Sequence, residues 1–168
     1  MIALAILLPQ AIHLFGLFDL GKVLLPMHIP VLLGGMFLGP VFGLVIGAVS
    51  PLLSALLTQM PANVILPFMI IELAAYGFMS GLLYKTLGFR KRQAGPFTAL
   101  VLSMLFGRLV NMLALFIATD LLKLSQLGAV YAINATITGT TGISIQIILI
   151  PAILIVLEKG NYYDRYFE

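Results

Sequence analysis

The stretch from Leu25 to Pro61 reads LPMHIPVLLGGMFLGPVFGLVIGAVSPLLSALLTQMP. It contains no Asp, Glu, Lys or Arg, and so long an apolar run would aggregate in water, so a lipid bilayer is its expected solvent. Prolines divide the run into short helices and turns, at Pro26, Pro30, Pro40, Pro51 and Pro61. Irregular backbone at membrane depth is tolerated only where it is buried in protein or lines a polar cavity. The stretch therefore predicts a membrane protein that contains a polar site.

The composition of the whole chain agrees with a membrane solvent. Hydrophobic residues make up 61% of the 168 residues and charged residues only 9%, and the mean hydropathy of +1.14 lies outside the range of soluble domains. The chain has no cysteine, which excludes disulfides and thiolate chemistry. Its two histidines are too few for a metal site built from histidine alone. We expect neither a metal nor a cofactor.

The apolar segments and their breaks predict an all-α membrane protein, a six-transmembrane-helix bundle in a single domain that covers residues 1–168. The predicted spans cover residues 1–16, 27–38, 41–59, 64–84, 96–120 and 129–157. The second is too short to cross the hydrocarbon alone, so we expect it to tilt or to be supplemented by the loop before it. Pro40, directly after Gly39, fits the first position of the third helix.

The placement of Lys and Arg predicts the orientation. The loop Lys85–Gly95 holds four basic residues, and the tail adds Lys159 and Arg165, whereas the opposite side carries only Lys22 and Lys123. The positive-inside rule then places both termini in the cytoplasm. Because topology alone accounts for the basic loop, we expect no nucleic-acid partner.

Glycines recur every fourth residue along the predicted second and third helices, at Gly35, Gly39, Gly43 and Gly47, and the spacing returns at Gly77 and Gly81. In lipid, small residues at this period let helix backbones approach closely. We favour tight packing of the third helix on the fourth. The alternative is a face that slides against a partner subunit.

Glu72 and Arg108 are the only full charges predicted deep inside spans. Each costs roughly 2.5–3.5 kcal/mol there, so each should face the bundle interior and have a partner. Their predicted depths are compatible with a mutual ion pair near the middle of the membrane. Two interpretations carry equal weight at this point: a structural brace, or a pair that holds a polar ligand.

Polar side chains surround these two charges at helical spacing. Tyr76 lies one turn from Glu72, and Asn111 lies one turn from Arg108, each on the face of its charged neighbour. Further candidates for substrate binding share a predicted place in the outer half of the bundle or in its outer loops: His28, Asn63, Asn134 and Thr138, with Thr141 continuing the stripe of the last two. We interpret the deeper Gln146 as structural.

Catalysis finds little support in the sequence. Ser80 stands in FMSG, which lacks the GxSG pattern of intramembrane serine proteases, and there is no phosphate-binding glycine loop with a lysine. We therefore expect a protein that is not an enzyme. The alternative to a binding subunit is a self-contained oligomeric channel or small secondary transporter, for which the sequence offers no positive signal.

The Leu25–Pro61 pattern, followed by IELAAYGFMSGLLYK at residues 71–85 and GRLVNMLALF at residues 107–116, resembles the S components of energy-coupling factor (ECF) transporters. The resemblance covers roughly residues 7–157. It implies a multi-pass subunit of a prokaryotic cell membrane that binds a vitamin or related micronutrient on the extracellular side. It also implies association with a membrane T component and two cytoplasmic ATPase subunits, and a lid-like outer loop between helices 1 and 2, here Leu17–Pro26.

The sequence departs from the family in its first helix. An alanine-xxx-alanine pattern that contacts the T component is common in the family, but Ala3 is followed four residues later by Leu7, and Ala5 by Pro9. Two alternatives stay open at this point: either the start of the sequence is truncated, or other small residues make the contact, for instance the Gly39–Gly47 glycines.

The sequence leaves two chemical classes of substrate possible. The absence of tryptophan favours a ligand smaller than the large aromatic vitamins that several family members stack on tryptophan. A free Arg108 would suit a carboxylate such as pantothenate or niacin. If Glu72 neutralises it, a neutral heterocycle such as pyridoxine or hydroxymethylpyrimidine fits better.

Overall fold

A computed structural model describes residues 1–14, 24–92, 94–121 and 129–159. Six α-helices lie within these residues: α1 Ile2–Leu14, α2 His28–Leu38, α3 Pro40–Thr58, α4 Leu66–Gly81, α5 Gly95–Phe116 and α6 Ala129–Lys159. Single π-helical turns extend α4 through Leu82–Thr86 and α5 through Ile117–Leu121. No strand occurs in the described parts of the chain, which confirms the all-helical class.

Four segments of the described residues are long and apolar enough to cross a membrane: Pro40–Thr58, Leu66–Thr86, Gly95–Thr119 and Gly139–Leu157. The other two helices are apolar but shorter. The α2 helix has 11 residues, which corresponds to about 16 Å of rise. The prediction that this helix is too short to span the hydrocarbon alone is therefore confirmed.

Glycine and proline fix the helix ends. Gly39 adopts φ +102°, a conformation open to glycine, and its N–H donates to the Gly35 carbonyl at 2.8 Å, so α2 ends in a tight turn. Pro40 begins α3 as predicted, and Pro67 and Pro96 stand in the first turns of α4 and α5. Proline suits these positions because the first N–H groups of a helix have no intrahelical partner.

The spaced glycines bring α3 onto α4 at backbone contact. A Cβ on Gly43 would collide with the Gly77 carbonyl, a Cβ on Gly47 with the Leu73 carbonyl, and a Cβ on Gly35 with the Gly77 carbonyl. The predicted tight packing is confirmed, because these glycines are buried inside the chain. The alternative of a sliding face against a partner is wrong for the same reason.

The burial of these glycines also contradicts the expectation that they contact a T component. Gly39, Gly43 and Gly47 are buried, and Gly39 and Pro40 backbone atoms lie where a Cβ on Gly81 would be. Because helix α4 and its C-terminal end cover these glycines, the glycines do not present a surface to a T component. The expectation that they replace the missing alanine pattern is wrong.

The α4 helix packs against α2, α3 and α5, and its Leu73 and Tyr76 belong to the buried core. The outward-facing surfaces of the helices are also apolar. Large exposed apolar side chains include Val41, Phe42, Leu56, Leu57, Leu105, Leu109, Leu113 and Ile148. Apolar side chains on the outside are what a lipid-facing surface requires, so burial and exposure agree with a membrane solvent.

Candidate functional site

The two charges predicted deep inside spans contact each other. Arg108 on α5 and Glu72 on α4 form an ion pair with 2.9 Å between Nη1 and Oε1, and the two side chains are only 13% and 9% exposed. Buried charges require partners because an isolated charge is costly to desolvate. The pair therefore joins α4 to α5 and leaves the site without net charge from these two residues.

Tyr76 is a second hydrogen-bond donor to the same Glu72 carboxylate. Its hydroxyl donates to Glu72 Oε1 at 3.0 Å across one helical turn, and the two side chains share one helix face as the spacing predicted. The Tyr76 ring lies against Gly107, where a Cβ would come within 2.6 Å of ring carbon Cε1. The glycine next to Arg108 is therefore what allows the ring to pack against α5.

His28, at the first turn of α2, joins this cluster through its ring. The imidazole of His28 meets the Tyr76 ring edge-on, with 5.2 Å between centroids and 60° between planes. His28 is only 4% exposed. The structure thus brings together four of the predicted residues from three different helices: His28, Glu72, Tyr76 and Arg108.

Several polar atoms of this cluster are buried without a hydrogen-bond partner among the described residues: both ring nitrogens of His28, and Nε and Nη2 of Arg108. The same is true of Oδ1 of Asn111, one helical turn from Arg108 on α5. An unpaired buried polar group costs about 1–3 kcal/mol, so native proteins seldom keep one without a reason. Arg108 offers donors, Asn111 Oδ1 is an acceptor, and an imidazole can supply either. Such a set matches a small polar molecule that has both acceptors and donors.

Gly139 and Leu25 adjoin Arg108, and the sequence analysis identified neither of them. A Cβ on Gly139 of α6 would lie 2.9 Å from Leu25 Cδ1 and 3.1 Å from Arg108 Nη2. Gly139 therefore lets α6, Arg108 and the segment before α2 approach one another. The signal available in the sequence was a glycine that interrupts the polar stripe on α6.

Gln146, interpreted as structural, contacts the same segment. It is fully buried, and its Nε2 donates to the backbone carbonyls of Leu24 at 3.4 Å and Leu25 at 3.3 Å. The contact joins α6 to residues more than 120 positions away in the chain, a relationship that no local pattern indicates.

The remaining predicted residues are either exposed or have side chains outside the described residues. Asn63 is exposed in the loop between α3 and α4. Asn134 and Thr138 stand on α6, but their side chains lie outside the described residues, as do residues 17–23 of the predicted lid. Thr141, which continued their stripe, is exposed, whereas Gly139, Gly142 and Gln146 are buried. The stripe prediction is therefore wrong at Thr141.

The described residues contain no group of three or more His, Cys, Asp or Glu that could hold a metal ion.

The family model of the ECF transporter substrate-specific component matches residues 1–155. No curated protein and no solved structure matches the chain. A match over most of the 168 residues shows the family: the chain belongs to the substrate-specific components of ECF transporters, membrane subunits that bind a small substrate for transport and are not enzymes.

Proposed function

We propose that this chain captures a small, uncharged micronutrient, a vitamin or related heterocycle, on the extracellular side of a prokaryotic cell membrane. It then delivers the ligand inward with a membrane T component and two cytoplasmic ATPase subunits. Family membership supports the coarser part, a membrane subunit that binds a substrate for transport. In this proposal residues 1–168 form one integral membrane domain with both termini in the cytoplasm, and the site needs no cofactor.

The closed ion pair between Glu72 and Arg108 carries the proposal of an uncharged ligand. One negative and one positive charge cancel within the cluster. A carboxylate ligand would add a second negative charge in a site of low dielectric, and an uncompensated buried charge is strongly unfavourable. Of the substrate classes left open by the sequence, neutral heterocycles such as pyridoxine or hydroxymethylpyrimidine fit better than pantothenate or niacin.

Each unpartnered atom has a role in this proposal. Arg108 Nε and Nη2 donate to a ring nitrogen or oxygen of the ligand, and Asn111 Oδ1 accepts from a ligand hydroxyl or amino group. His28 contributes a further hydrogen bond while its ring packs on Tyr76. Asn63, Asn134 and Thr138 are proposed to contact the ligand from the extracellular end, as the family resemblance implies.

The direct test is mass spectrometry of small molecules that copurify with the protein, followed by a thermal-shift series. Pyridoxine and hydroxymethylpyrimidine should raise the melting temperature by about 5–10 °C at a hundredfold excess over the dissociation constant. Pantothenate and niacin should have little effect. Stabilisation by the acids alone would overturn the neutral class.

A second outcome concerns the protein's function as a binding subunit. If no small molecule stabilises well-folded protein, the substrate-capture proposal fails. If the purified chain alone, without ATPases, passes a substrate across liposome membranes, the self-contained channel or transporter is the better interpretation. The same preparation serves both measurements.

A further inference from the structure

The loop between α4 and α5 carries positive charge that no acidic residue of the loop balances. Residues 85–95 read KTLGFRKRQAG, with four basic residues and no Asp or Glu. Membrane topology explains why basic residues collect at this end of the bundle, but it requires no particular arrangement of their side chains. The structure shows a specific arrangement at Arg92.

The guanidinium group of Arg92 lies over an aromatic ring. Its Cζ is 4.7 Å from the centroid of the Phe89 ring, within the range of a cation–π contact. The side chain of Arg92 is nevertheless exposed. A contact with a ring face holds the charge in place and takes none of the N–H donors of the guanidinium group. Arg92 is therefore positioned and still able to donate to an anion.

Backbone contacts fix the position of both residues. The N–H of Arg92 donates to the Phe89 carbonyl at 3.0 Å, and the Arg92 carbonyl accepts from the N–H of Gly95 at 2.9 Å. A Cβ on Gly95 would collide with the same Phe89 carbonyl, so the start of α5 lies directly against this turn. The half-buried Phe89 packs against the main apolar core. The ring beneath Arg92 thus belongs to the folded core of the protein.

The surroundings of Arg92 match the boundary of a membrane. Leu87 and Phe97, on either side of it along the chain, are 55% and 48% exposed. Phe97 stands in the first turn of α5, where the membrane-crossing segment Gly95–Thr119 begins. Exposed apolar side chains next to exposed cations are typical of the headgroup layer, where apolar groups enter the lipid and charges stay in water.

We propose that Arg92, held over Phe89, binds the phosphate of an anionic phospholipid together with the exposed Lys91. A guanidinium group can donate two parallel hydrogen bonds to phosphate oxygens, and Lys91 adds a second positive charge near the membrane surface. Leu87 and Phe97 contact the apolar part of the same lipid, which a soluble phosphate does not have. The bound lipid holds the α4–α5 loop in the headgroup layer.

The test is native mass spectrometry of the full chain in detergent, titrated with dioleoyl phosphatidylglycerol. Dioleoyl phosphatidylcholine has the same acyl chains and no net charge, and the protein should bind it about fivefold more weakly or worse. Arg92→Lys keeps the charge but loses the planar fork, so phosphatidylglycerol binding should weaken about fivefold. The matched control is Lys91→Arg at the neighbouring exposed position, which should bind at least as tightly as the parent. Equal affinities of Arg92→Lys and the parent would overturn the site.

A second variant tests the ring and leaves every charge in place. Phe89→Leu removes the cation–π contact and keeps an apolar side chain against the core, so phosphatidylglycerol binding should weaken about threefold. Unchanged binding by folded Phe89→Leu would overturn the positioning role of Phe89. Should this variant fail to fold, Arg92→Lys still decides the proposal, because its exposed position makes no demand on the core.

Soluble anions distinguish a lipid from a free phosphate. Glycerol phosphate and inorganic phosphate, each in large excess, should leave phosphatidylglycerol bound, and displacement by either would overturn the lipid as ligand. Arg92→Gln should lose more affinity than Lys91→Gln, whereas equal losses would show attraction by positive charge in general and overturn the site. None of these measurements uses a vitamin, so their outcome is independent of the proposed substrate class.

Discussion

Arg108 Nη1 lies 2.9 Å from Glu72 Oε1, across the contact between α5 and α4. Tyr76 adds a second donor to the same oxygen, while the other two nitrogens of the guanidinium group have no partner in the described part of the chain. Arg108 is thus neutralised on one side and unsatisfied on the other. This asymmetry is compatible with both interpretations left open by the sequence, a brace between two helices and a pair that holds a polar ligand.

The ion pair should behave as one energetic unit. Arg108→Leu and Glu72→Gln each leave a buried group without its partner, and we expect each to destabilise the fold by about 3–5 kcal/mol. The double variant should lose clearly less than the sum, because no unpaired charge remains. Thermal melting in detergent measures the cycle. Additive losses would contradict a direct pairing in the folded protein.

His28 should be needed for binding and not for folding. Both ring nitrogens are buried without a partner among the described residues, so His28→Phe removes an unsatisfied polar group and keeps a ring against Tyr76. We expect an unchanged or higher melting temperature and a pyridoxine affinity weakened about tenfold. Isothermal titration measures the affinity. A large loss of stability with unchanged affinity would show that the imidazole is structural.

Asn111 on α5 provides an independent test of whether the unpartnered buried polar atoms contact the ligand. Asn111→Leu has similar volume and removes the unpartnered buried Oδ1, so the melting temperature should change little. Loss of an acceptor for the ligand should weaken pyridoxine binding about tenfold. Ser144→Ala, at an exposed position on α6, is the control and should bind normally. Normal binding by Asn111→Leu would remove this residue from the site.

Two adjacent glycines on α2 should respond differently to alanine. A Cβ on Gly35 would collide with the Gly77 carbonyl, a backbone atom that cannot move aside. A Cβ on Gly34 would meet Ile46 Cδ1 at 2.7 Å, the end of a flexible side chain. We expect Gly35→Ala to cost about 1–3 kcal/mol or more through overpacking, and Gly34→Ala to cost less. Comparable melting temperatures would contradict the backbone contact.

The predicted topology can be tested with the same cysteine-free chain. Ala62 and Lys91 are both exposed, and the distribution of basic residues places them on opposite sides of the membrane. In intact cells, a membrane-impermeant maleimide should label Ala62→Cys and should label Lys91→Cys only after the cells are permeabilised. The reverse pattern would invert the orientation.

The boundaries of the helices were predictable because they depend on local chemistry. Pro40 begins α3 and Gly39 ends α2 with a positive φ, and both preferences belong to the residues themselves. The tight glycine packing was predictable for a related reason, since small residues at a spacing of four have a recognised role in lipid. Tyr76 and Glu72 are one turn apart, so their hydrogen bond also follows from helical spacing.

The sequence by itself determined the membrane solvent, the helical class, the family and the presence of two buried charges that need partners. Only the tertiary structure decided that Glu72 and Arg108 satisfy each other, because the pairing depends on how α4 packs on α5. Tertiary structure alone also placed Leu25 beside Gly139 and Arg108 and joined Gln146 to the Leu24–Leu25 carbonyls. These contacts link residues more than 80 positions apart, and periodicity along one helix carries no information about which distant backbone will lie against it.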